Sequence, residues 1–291
     1  MFVVSLIARP GTLDPALAEA LRNAWGGGDV TWLSPDEAAE FPVATRPGNL
    51  DAVRADLGDR VDLNLVMAEG RRKRMLIADM DSTMIRQECI DELAAEAGVG
   101  DRVAAITARA MNGELDFEGA LLERVGLLKG LPETVIDQVL ARRITYMPGG
   151  ATLVATMKAQ GAAAILVSGG FTAFAGPVAG ALGFDVAQAN DLLVEGGMLT
   201  GDVGRPILGR DAKVAALEAH VARLGIAAAD VLAVGDGAND LGMLGRAGMG
   251  VALHAKPAVQ AECDLRVNHG DLTALLYLQG YGRDAFVQGV A

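Results

Sequence analysis

The stretch MLIADMDST, residues 75–83, decides how the rest of the chain is interpreted. Its first four residues are apolar, and Asp79 and Asp81 follow them one residue apart. A short apolar run of this kind is typical of a buried strand in a parallel sheet. Open α/β sheets bind their ligands outside the carboxyl ends of the strands. The two carboxyl groups therefore stand where a site is expected.

The composition is that of a globular protein. The chain has 291 residues, of which 51% are hydrophobic and 21% charged, and its net charge is −12. That charge disfavours nucleic acid as a partner, because phosphate backbones attract basic surfaces. We expect a cytoplasmic protein, since no apolar stretch reaches the length of a membrane span and Cys89 and Cys263 are too few for a disulfide framework. The short apolar N-terminus predicts a strand and not a signal peptide.

Two regions with different patterns are predicted. Residues 1–72 alternate strand, helix, strand, helix and strand, which predicts a small α+β domain that ends near the basic run RRKR, interpreted as a solvated linker. Residues 73–291 form the second domain, in which buried strands alternate with long helices and predict a parallel sheet covered on both faces. A helical block at about 88–145 interrupts this pattern and predicts a lid, and 190–203 predicts a β-hairpin. The predicted strands of the sheet are 75–78, 162–168, 231–235 and 250–253.

Polar residues also follow the next two predicted strands. Ser168-Gly169-Gly170 comes directly after the second strand and opens a predicted helix, and GDGAND at 235–240 follows the third. Lys213 begins a predicted helix between them. Because parallel strands end at one edge of a sheet, we expect these groups to lie beside the two aspartates.

These residue types suit a phosphate ester as substrate. One carboxylate can attack phosphorus, and a second can act as acid and base. A hydroxyl and N–H groups at a helix N-terminus can hold phosphate oxygens, which a lysine ammonium also stabilises. Repulsion between carboxylates and phosphate requires a cation, and oxygen ligands indicate Mg²⁺. Each motif alone is compatible with a plain turn, a cap or a surface helix, and only their shared position favours a site.

The four motifs resemble those of the haloacid dehalogenase (HAD) superfamily and, within it, the phosphoserine phosphatase family. They are DMDST (79–83), VSGGF (167–171), Lys213 in RDAK, and GDGAND (235–240). The resemblance implies an α/β fold with a HAD-like Rossmannoid parallel sheet and an inserted helical cap. The N-terminal region resembles, by its strand–helix order, the ACT-like domains attached to bacterial members of this family, which implies either amino-acid regulation or a homodimer.

The resemblance also implies a role for each motif residue. Asp79 would be the nucleophile and Asp81 the general acid and base. Mg²⁺ would be bound by the carboxylates of Asp79 and Asp236 and the backbone carbonyl of Asp81, with Asp240 and Asn239 steadying the metal and its waters. The substrate-binding residues would be Ser168, Gly169, Lys213 and Asn239 at the phosphate, and Glu88, Arg124, Met111 and Phe117 at the lid.

The lid residues point to the substrate. A phosphorylated amino acid carries an ammonium and a carboxylate, so its pocket needs an acidic residue such as Glu88 and a basic one such as Arg124. The alternative is that Glu88 caps its helix and Arg124 lies on a solvated face. This sequence departs from many relatives at Ala120 and Leu122, where they carry a serine and a basic residue.

The function that follows is hydrolysis of O-phospho-L-serine to L-serine and phosphate through an aspartyl-phosphate, the last step of serine biosynthesis. A phosphotransferase that passes the phosphoryl group to homoserine would share the covalent step. A non-catalytic amino-acid sensor would lack a catalytic position, and none is missing. The three histidines, His220, His254 and His269, are predicted to be structural.

Overall fold

The computed structural model describes residues 1–111 and 114–289, with the backbone alone at residue 111. The N-terminal region is a four-stranded antiparallel sheet in the order β2-β3-β1-β4, with two helices packed on one face around an apolar core. The elements run in the order β-α-β-β-α-β: β1 (Phe2–Ala8), α1 (Pro15–Ala24), β2 (Thr31–Ser34), β3 (Ala38–Val43), α2 (Leu50–Leu57) and β4 (Val61–Met67).

The prediction of three strands in this region was wrong, because β3 was not recognised. This strand contains Glu40 and Pro42, which do not suit an inner strand. Glu40 nevertheless lies buried there, since both of its carboxylate oxygens accept hydrogen bonds from Arg71 at 2.7 Å. Arg71 belongs to the basic run interpreted as a linker, and so at least one residue of that run has a structural partner.

The second region is built on a six-stranded parallel sheet in the order β12-β11-β10-β5-β6-β7. Alternate residues of β5 enter two separate apolar cores, Leu76 on one face and Ile77 on the other, so the sheet is covered on both sides. This confirms the predicted α/β class. Its strands are β5 (Met75–Ala78), β6 (Ala163–Phe171), β7 (Val186–Asn190), β10 (Val231–Gly235), β11 (Met249–Leu253) and β12 (Leu265–Val267).

The two outermost strands were not predicted, because β7 is only partly buried and β12 has three residues. Helices follow the strands and cover the sheet: α7 (Gly150–Ala159), α8 (Thr172–Leu182), α9 (Arg210–Leu224), α10 (Leu241–Arg246), α11 (Pro257–Ala261) and α12 (Ala274–Leu278), with 3-10 turns at Ala228–Asp230 and Arg283–Ala285. In the part of the chain that the structure describes, no helix combines the length and apolar character needed to cross a bilayer.

The predicted lid and hairpin both form. The lid consists of α3 (Cys89–Glu96), α4 (Gly100–Met111), α5 (Phe117–Gly126) and α6 (Thr134–Arg142), and the hairpin of β8 (Leu192–Glu195) and β9 (Met198–Val203). Gly196 and Gly197 both have positive φ, as a tight hairpin turn requires. Backbone hydrogen bonds of 2.8 Å join Leu199 of the hairpin to Gly130 and Leu131 of the lid, so the two parts are linked.

The N-terminal sheet docks on the second region through the edge strands β4 and β12. The side chain of Asn64 accepts from the Arg266 N–H and donates to the Arg266 carbonyl, both at 2.9 Å, much as a neighbouring strand would. Asp62 accepts from the N–H groups of Asn268 and His269 at 2.8 Å. The boundary predicted between residues 72 and 73 falls in the connection from β4 to β5 and stays a prediction, as does pairing of two chains.

Candidate active site

Three neighbouring strands bring the predicted motifs to one edge of the sheet. β5 lies between β6 and β10, and Ala78 at its end is in register with Leu166 on one side and Val234 on the other. Asp79 and Asp236 directly follow their strands, and Ser168 of β6 lies two residues beyond Leu166, so the three residues lie at nearly the same level. Together with residues of the lid they line a cavity of about 560 Å³.

Asp79 is buried at the end of β5. Its Oδ1 atom accepts hydrogen bonds from the Met80 N–H at 2.8 Å and from Lys213 Nζ at 2.7 Å. Burial raises the pKa of Asp79 well above its usual range, and although Lys213 opposes this shift, the charge of Asp240 adds to it. The side chain thus has one oxygen bound to two donors in this arrangement.

Asp81 is half-buried beside it, with its Oδ1 atom enclosed and without a hydrogen-bond partner among the described residues. Burial, followed by the negative charge of Glu88, raises the pKa of Asp81 to about 7. A carboxyl group with a pKa near neutrality can both donate and accept a proton at physiological pH. The Oδ1 atom of Asp81 is therefore able to accept a hydrogen bond from a bound molecule.

Lys213 is held between two carboxylates. Its Nζ atom lies 2.7 Å from Asp79 Oδ1 and 2.6 Å from Asp240 Oδ1, and the lysine is only 2% exposed. Burial would lower the pKa of Lys213, but these two carboxylates outweigh it and raise the pKa. The second oxygen of Asp240 accepts from the Gly237 N–H at 3.0 Å, so both of its oxygens are already used by the protein.

The carboxylates at this edge suit a divalent cation. Oxygens of Asp79, Asp236 and Asp240 lie within 4.8 Å of one another, Asp81 adds a fourth acidic group, and Lys213 lies beside them. Burial and then the charge of Asp240 raise the pKa of Asp236 to about 6. A cation would offset this excess of negative charge, and hard oxygen donors are the ligands that such ions prefer. The residues therefore fit a divalent metal ion, since Asp240 has both oxygens engaged within the protein whereas Asp79 has only Oδ1 engaged by Lys213.

The turn after β6 differs from the prediction. β6 continues through Phe171, with an irregular register after Val167, and the following helix begins at Thr172. Ser168 to Gly170 are therefore not at a helix N-terminus, because the strand bulges there before it ends. The Gly170 N–H donates to Ser168 Oγ at 2.8 Å, which leaves the serine O–H free to donate into the cavity.

The lid contributes the opposite side of the cavity. Glu88 and Arg124 both line it, and so does Phe117, the first residue of α5. The Phe117 ring packs over the backbone of Gly169 and Gly209, where an added Cβ atom would approach it to 3.3 Å and 3.2 Å. The lid thus packs directly on the β6 bulge, and its acidic and basic residues line the cavity that contains Asp79.

Neither alternative for the two charged lid residues matches their surroundings. Glu88 occupies the position before α3, but its side chain makes no capping hydrogen bond and instead accepts from Ser82 Oγ at 2.6 Å. Arg124 is half-buried, and although burial lowers its pKa, the charges of Asp91 and Glu88 oppose that shift. Both side chains belong to the cavity wall.

The remaining predicted residues are placed as follows. Asn239 lines the cavity, and the side chain of Met111 lies outside the described part of the chain. None of the three histidines is among the described residues that line the cavity. His220 Nδ1 is 3.0 Å from Arg223 Nη2, and His269 Nε2 is 2.7 Å from the Gly58 carbonyl.

Four residues that shape the site were not predicted from the sequence. Asp91 lines the cavity one helical turn after Glu88, a spacing that could have identified it. The Thr83 hydroxyl donates to Asp236 Oδ1 at 3.3 Å, and its position in the motif DMDST could have identified it as a site residue. Ser82 binds Glu88, and Asn190 links the carbonyl of Gly169 to the loop at Leu208, with donor–acceptor distances of 2.9 Å and 3.2 Å. Nothing local marks Asn190, because its partners are distant in sequence.

Comparison with known proteins agrees with this geometry. A model of the haloacid dehalogenase-like hydrolase family matches residues 76–245. The phosphoserine phosphatase of Streptomyces coelicolor is 40% identical over 294 aligned positions, which cover 97% of this chain and 71% of that protein.

Two solved structures are also similar. A HAD family hydrolase from Salmonella enterica serovar Typhi superposes with a TM-score of 0.87 at 30% identity, covering 96% of this chain and 98% of the other. A substrate-bound phosphoserine phosphatase superposes with a TM-score of 0.66 at 40% identity, covering 71% of this chain and 98% of that one. The fold, the strand-end carboxylates and the extent of these matches together show that the chain belongs to the haloacid dehalogenase-like hydrolase family.

Proposed function

We propose that this protein is a magnesium-dependent phosphatase that hydrolyses O-phospho-L-serine to L-serine and phosphate. The observation that supports the proposal is that one cavity combines groups suited to a phosphate with groups suited to an amino acid. Strand-end carboxylates and a buried lysine lie on one side, and an acidic and a basic lid residue, Glu88 and Arg124, lie on the other. The names of the Streptomyces relative and of the substrate-bound structure support the same substrate.

The lid residues recognise the amino-acid end of the substrate. Arg124 donates through one nitrogen to the Ala120 carbonyl at 3.1 Å, which leaves its terminal nitrogens for a bidentate contact with the substrate carboxylate. Glu88 accepts from the substrate ammonium. Phe117 forms the apolar side of the pocket, and Met111 is proposed to contribute to the same side.

The phosphate end is held by the strand-end groups. Ser168 and the Gly169 backbone contact phosphate oxygens, while Lys213 adds a buried positive charge. Asn239 lies at the rim of the same space. Asp240 keeps Lys213 in position, since it accepts from the ammonium at 2.6 Å.

The reaction has two steps. An Asp79 oxygen attacks phosphorus, the bond from phosphorus to the serine oxygen breaks, and Asp81 gives its proton to that leaving oxygen. Asp81 then takes a proton from water, whose oxygen attacks the phosphorus of the aspartyl-phosphate and releases phosphate and the Asp79 carboxylate. The pKa of about 7 at Asp81 suits both transfers.

Mg²⁺ fits the acidic residues of this edge. The carboxylates of Asp79 and Asp236 and the backbone carbonyl of Asp81 would hold it, with Asp240 nearby. When bound, the ion supplies the positive charge that lets a carboxylate and a phosphate dianion approach each other. Thr83 restrains Asp236 through its hydroxyl.

The test is phosphate release from O-phospho-L-serine. We expect the wild-type protein to release serine and phosphate in equal amounts. EDTA should abolish this activity, and added Mg²⁺ should restore it. Asp79→Asn removes the nucleophile with almost no change in shape, and we expect at least about a thousandfold loss of kcat. Asp101→Asn, on the exposed side of lid helix α4, is the matched control and should leave turnover unchanged.

Metal-independent release or a fully active Asp79→Asn variant would refute the mechanism. Serine released in excess of phosphate when homoserine is added would instead favour the phosphotransferase. A panel that adds phosphothreonine and a sugar phosphate tests the assignment of the substrate.

A further inference from the structure

Ser82 has an unusual backbone conformation for a residue other than glycine. Its φ angle is +55°, in the left-handed region, where a side chain on the α-carbon is disfavoured. The Ser82 N–H donates to the Gln87 carbonyl at 3.2 Å, which closes the loop between the strand-end aspartates and helix α3. A strained residue of this kind persists when its surroundings demand that geometry.

The strained conformation brings the Ser82 hydroxyl to Glu88. Oγ lies 2.6 Å from Glu88 Oε1, a short distance typical of a hydroxyl that donates to a charged carboxylate. Among the described residues this is the side-chain hydrogen bond that Glu88 makes within the protein. Glu88 is also an exposed residue of the cavity wall, so without this bond its flexible side chain would be free to leave the cavity.

We infer that Ser82 is a positioning residue that holds the Glu88 carboxylate ready for the ammonium group of the substrate. This inference rests on the proposed function. The hydroxyl uses one lone pair of one oxygen, and the remaining acceptor positions of Glu88 stay available to the ligand. Ser82 thereby connects the turn that carries the nucleophile to the group that recognises the amino acid.

The expected effect follows from side-chain ordering. Fixing a flexible side chain on binding weakens affinity by roughly two- to tenfold, and prior fixation avoids that loss. Removing the hydroxyl should therefore raise the KM for phosphoserine by about three- to tenfold. Removing the Ser82 hydroxyl leaves the charge of Glu88 in place and alters no strand-end side chain, so kcat should change less than about twofold.

The experiment compares Ser82→Ala with Ser82→Gly at saturating Mg²⁺. Both variants lose the hydroxyl, but glycine adopts a positive φ without strain, so a defect in the turn itself would separate them. The inhibition constant of inorganic phosphate serves as the control, because it reports on the strand-end groups alone. We expect KM to rise in both variants while the phosphate constant stays at the wild-type value.

A double-mutant cycle decides whether the effect passes through Glu88. In a Glu88→Ala background, Ser82→Ala should raise KM no further. An unchanged KM in both single variants, a parallel rise in the phosphate constant, or an equal rise in the Glu88→Ala background would overturn the inference while leaving the proposed function standing. A wild-type protein that does not hydrolyse phosphoserine would overturn both.

Discussion

Replacing Gly170 by alanine perturbs the proposed acid–base residue by the addition of a single methyl group. A Cβ atom built on Gly170 would lie 2.8 Å from Asp81 Oδ2, 3.1 Å from Ser168 Oγ and 3.4 Å from Met80 Cε. The first distance is about half an ångström short of an ordinary van der Waals contact, so the Asp81 carboxylate has to move away. Its neighbour Ser168 is buried and leaves little room for that movement.

The magnitude follows from the sensitivity of proton transfer to position. A catalytic group displaced by about 1 Å loses on the order of a hundredfold in rate, so half that displacement should lower kcat by roughly ten- to a hundredfold. Folding should suffer less, because the backbone of Gly170 does not have a positive φ and the group that must move is a side-chain terminus. We therefore expect a catalytic defect in a protein that remains folded.

The assay is steady-state hydrolysis of phosphoserine together with thermal unfolding. Gly180→Ala is the matched control, since it adds the same methyl group to helix α8 with no atom within 4 Å, and it should leave kcat unchanged and stabilise the helix by up to about 1 kcal/mol. A Gly170→Ala variant that keeps more than half of the wild-type kcat would show that the position of Asp81 does not limit the reaction.

Two further predictions concern the metal and the docking of the N-terminal sheet. The pKa of Asp236 is raised to about 6 in the folded protein, so its contribution to stability is present at low pH and is lost as pH rises through that value. Mg²⁺ should accordingly raise the thermal unfolding midpoint more at about pH 8 than at about pH 5, because at the lower pH the ion must displace a proton from the carboxyl group. Equal shifts of the midpoint at the two pH values would contradict this prediction. Asn64→Ala leaves the Arg266 N–H and carbonyl without their partner and should lower the free energy of unfolding by about 2–4 kcal/mol, as denaturant titration would measure. Exposed Asn23→Ala should stay within about 0.5 kcal/mol, and a similar small change for Asn64→Ala would show that water replaces the amide.

Local patterns were sufficient for the elements whose residues suit their surroundings. The apolar run of β5 predicted a buried strand because every residue of it is compatible with a core, and the glycines at 196 and 197 predicted a hairpin because the turn needs positive φ at both. The lid helices followed from their apolar spacing in the same way. These are features that a residue and its close neighbours decide.

Features that depend on distant partners escaped prediction. β3 was missed because Glu40 can be buried only with Arg71, which lies 31 positions away. The extension of β6 through its glycines was missed because a bulge has no local apolar signal. The link from Asn190 to Leu208 depends in the same way on a fold that brings separate loops together.

By itself, the sequence determined that carboxylates and a hydroxyl come directly after apolar strand segments of a parallel sheet, because those residues are adjacent in the chain, and that a lysine stands near the start of a helix. Only the tertiary structure decided how those groups are paired: Lys213 lies between Asp79 and Asp240, and Glu88 binds Ser82 and does not cap its helix. The physical reason is that these pairings depend on strand register and lid packing, which bring atoms of residues that are separated in sequence to within 2.6–2.7 Å of each other.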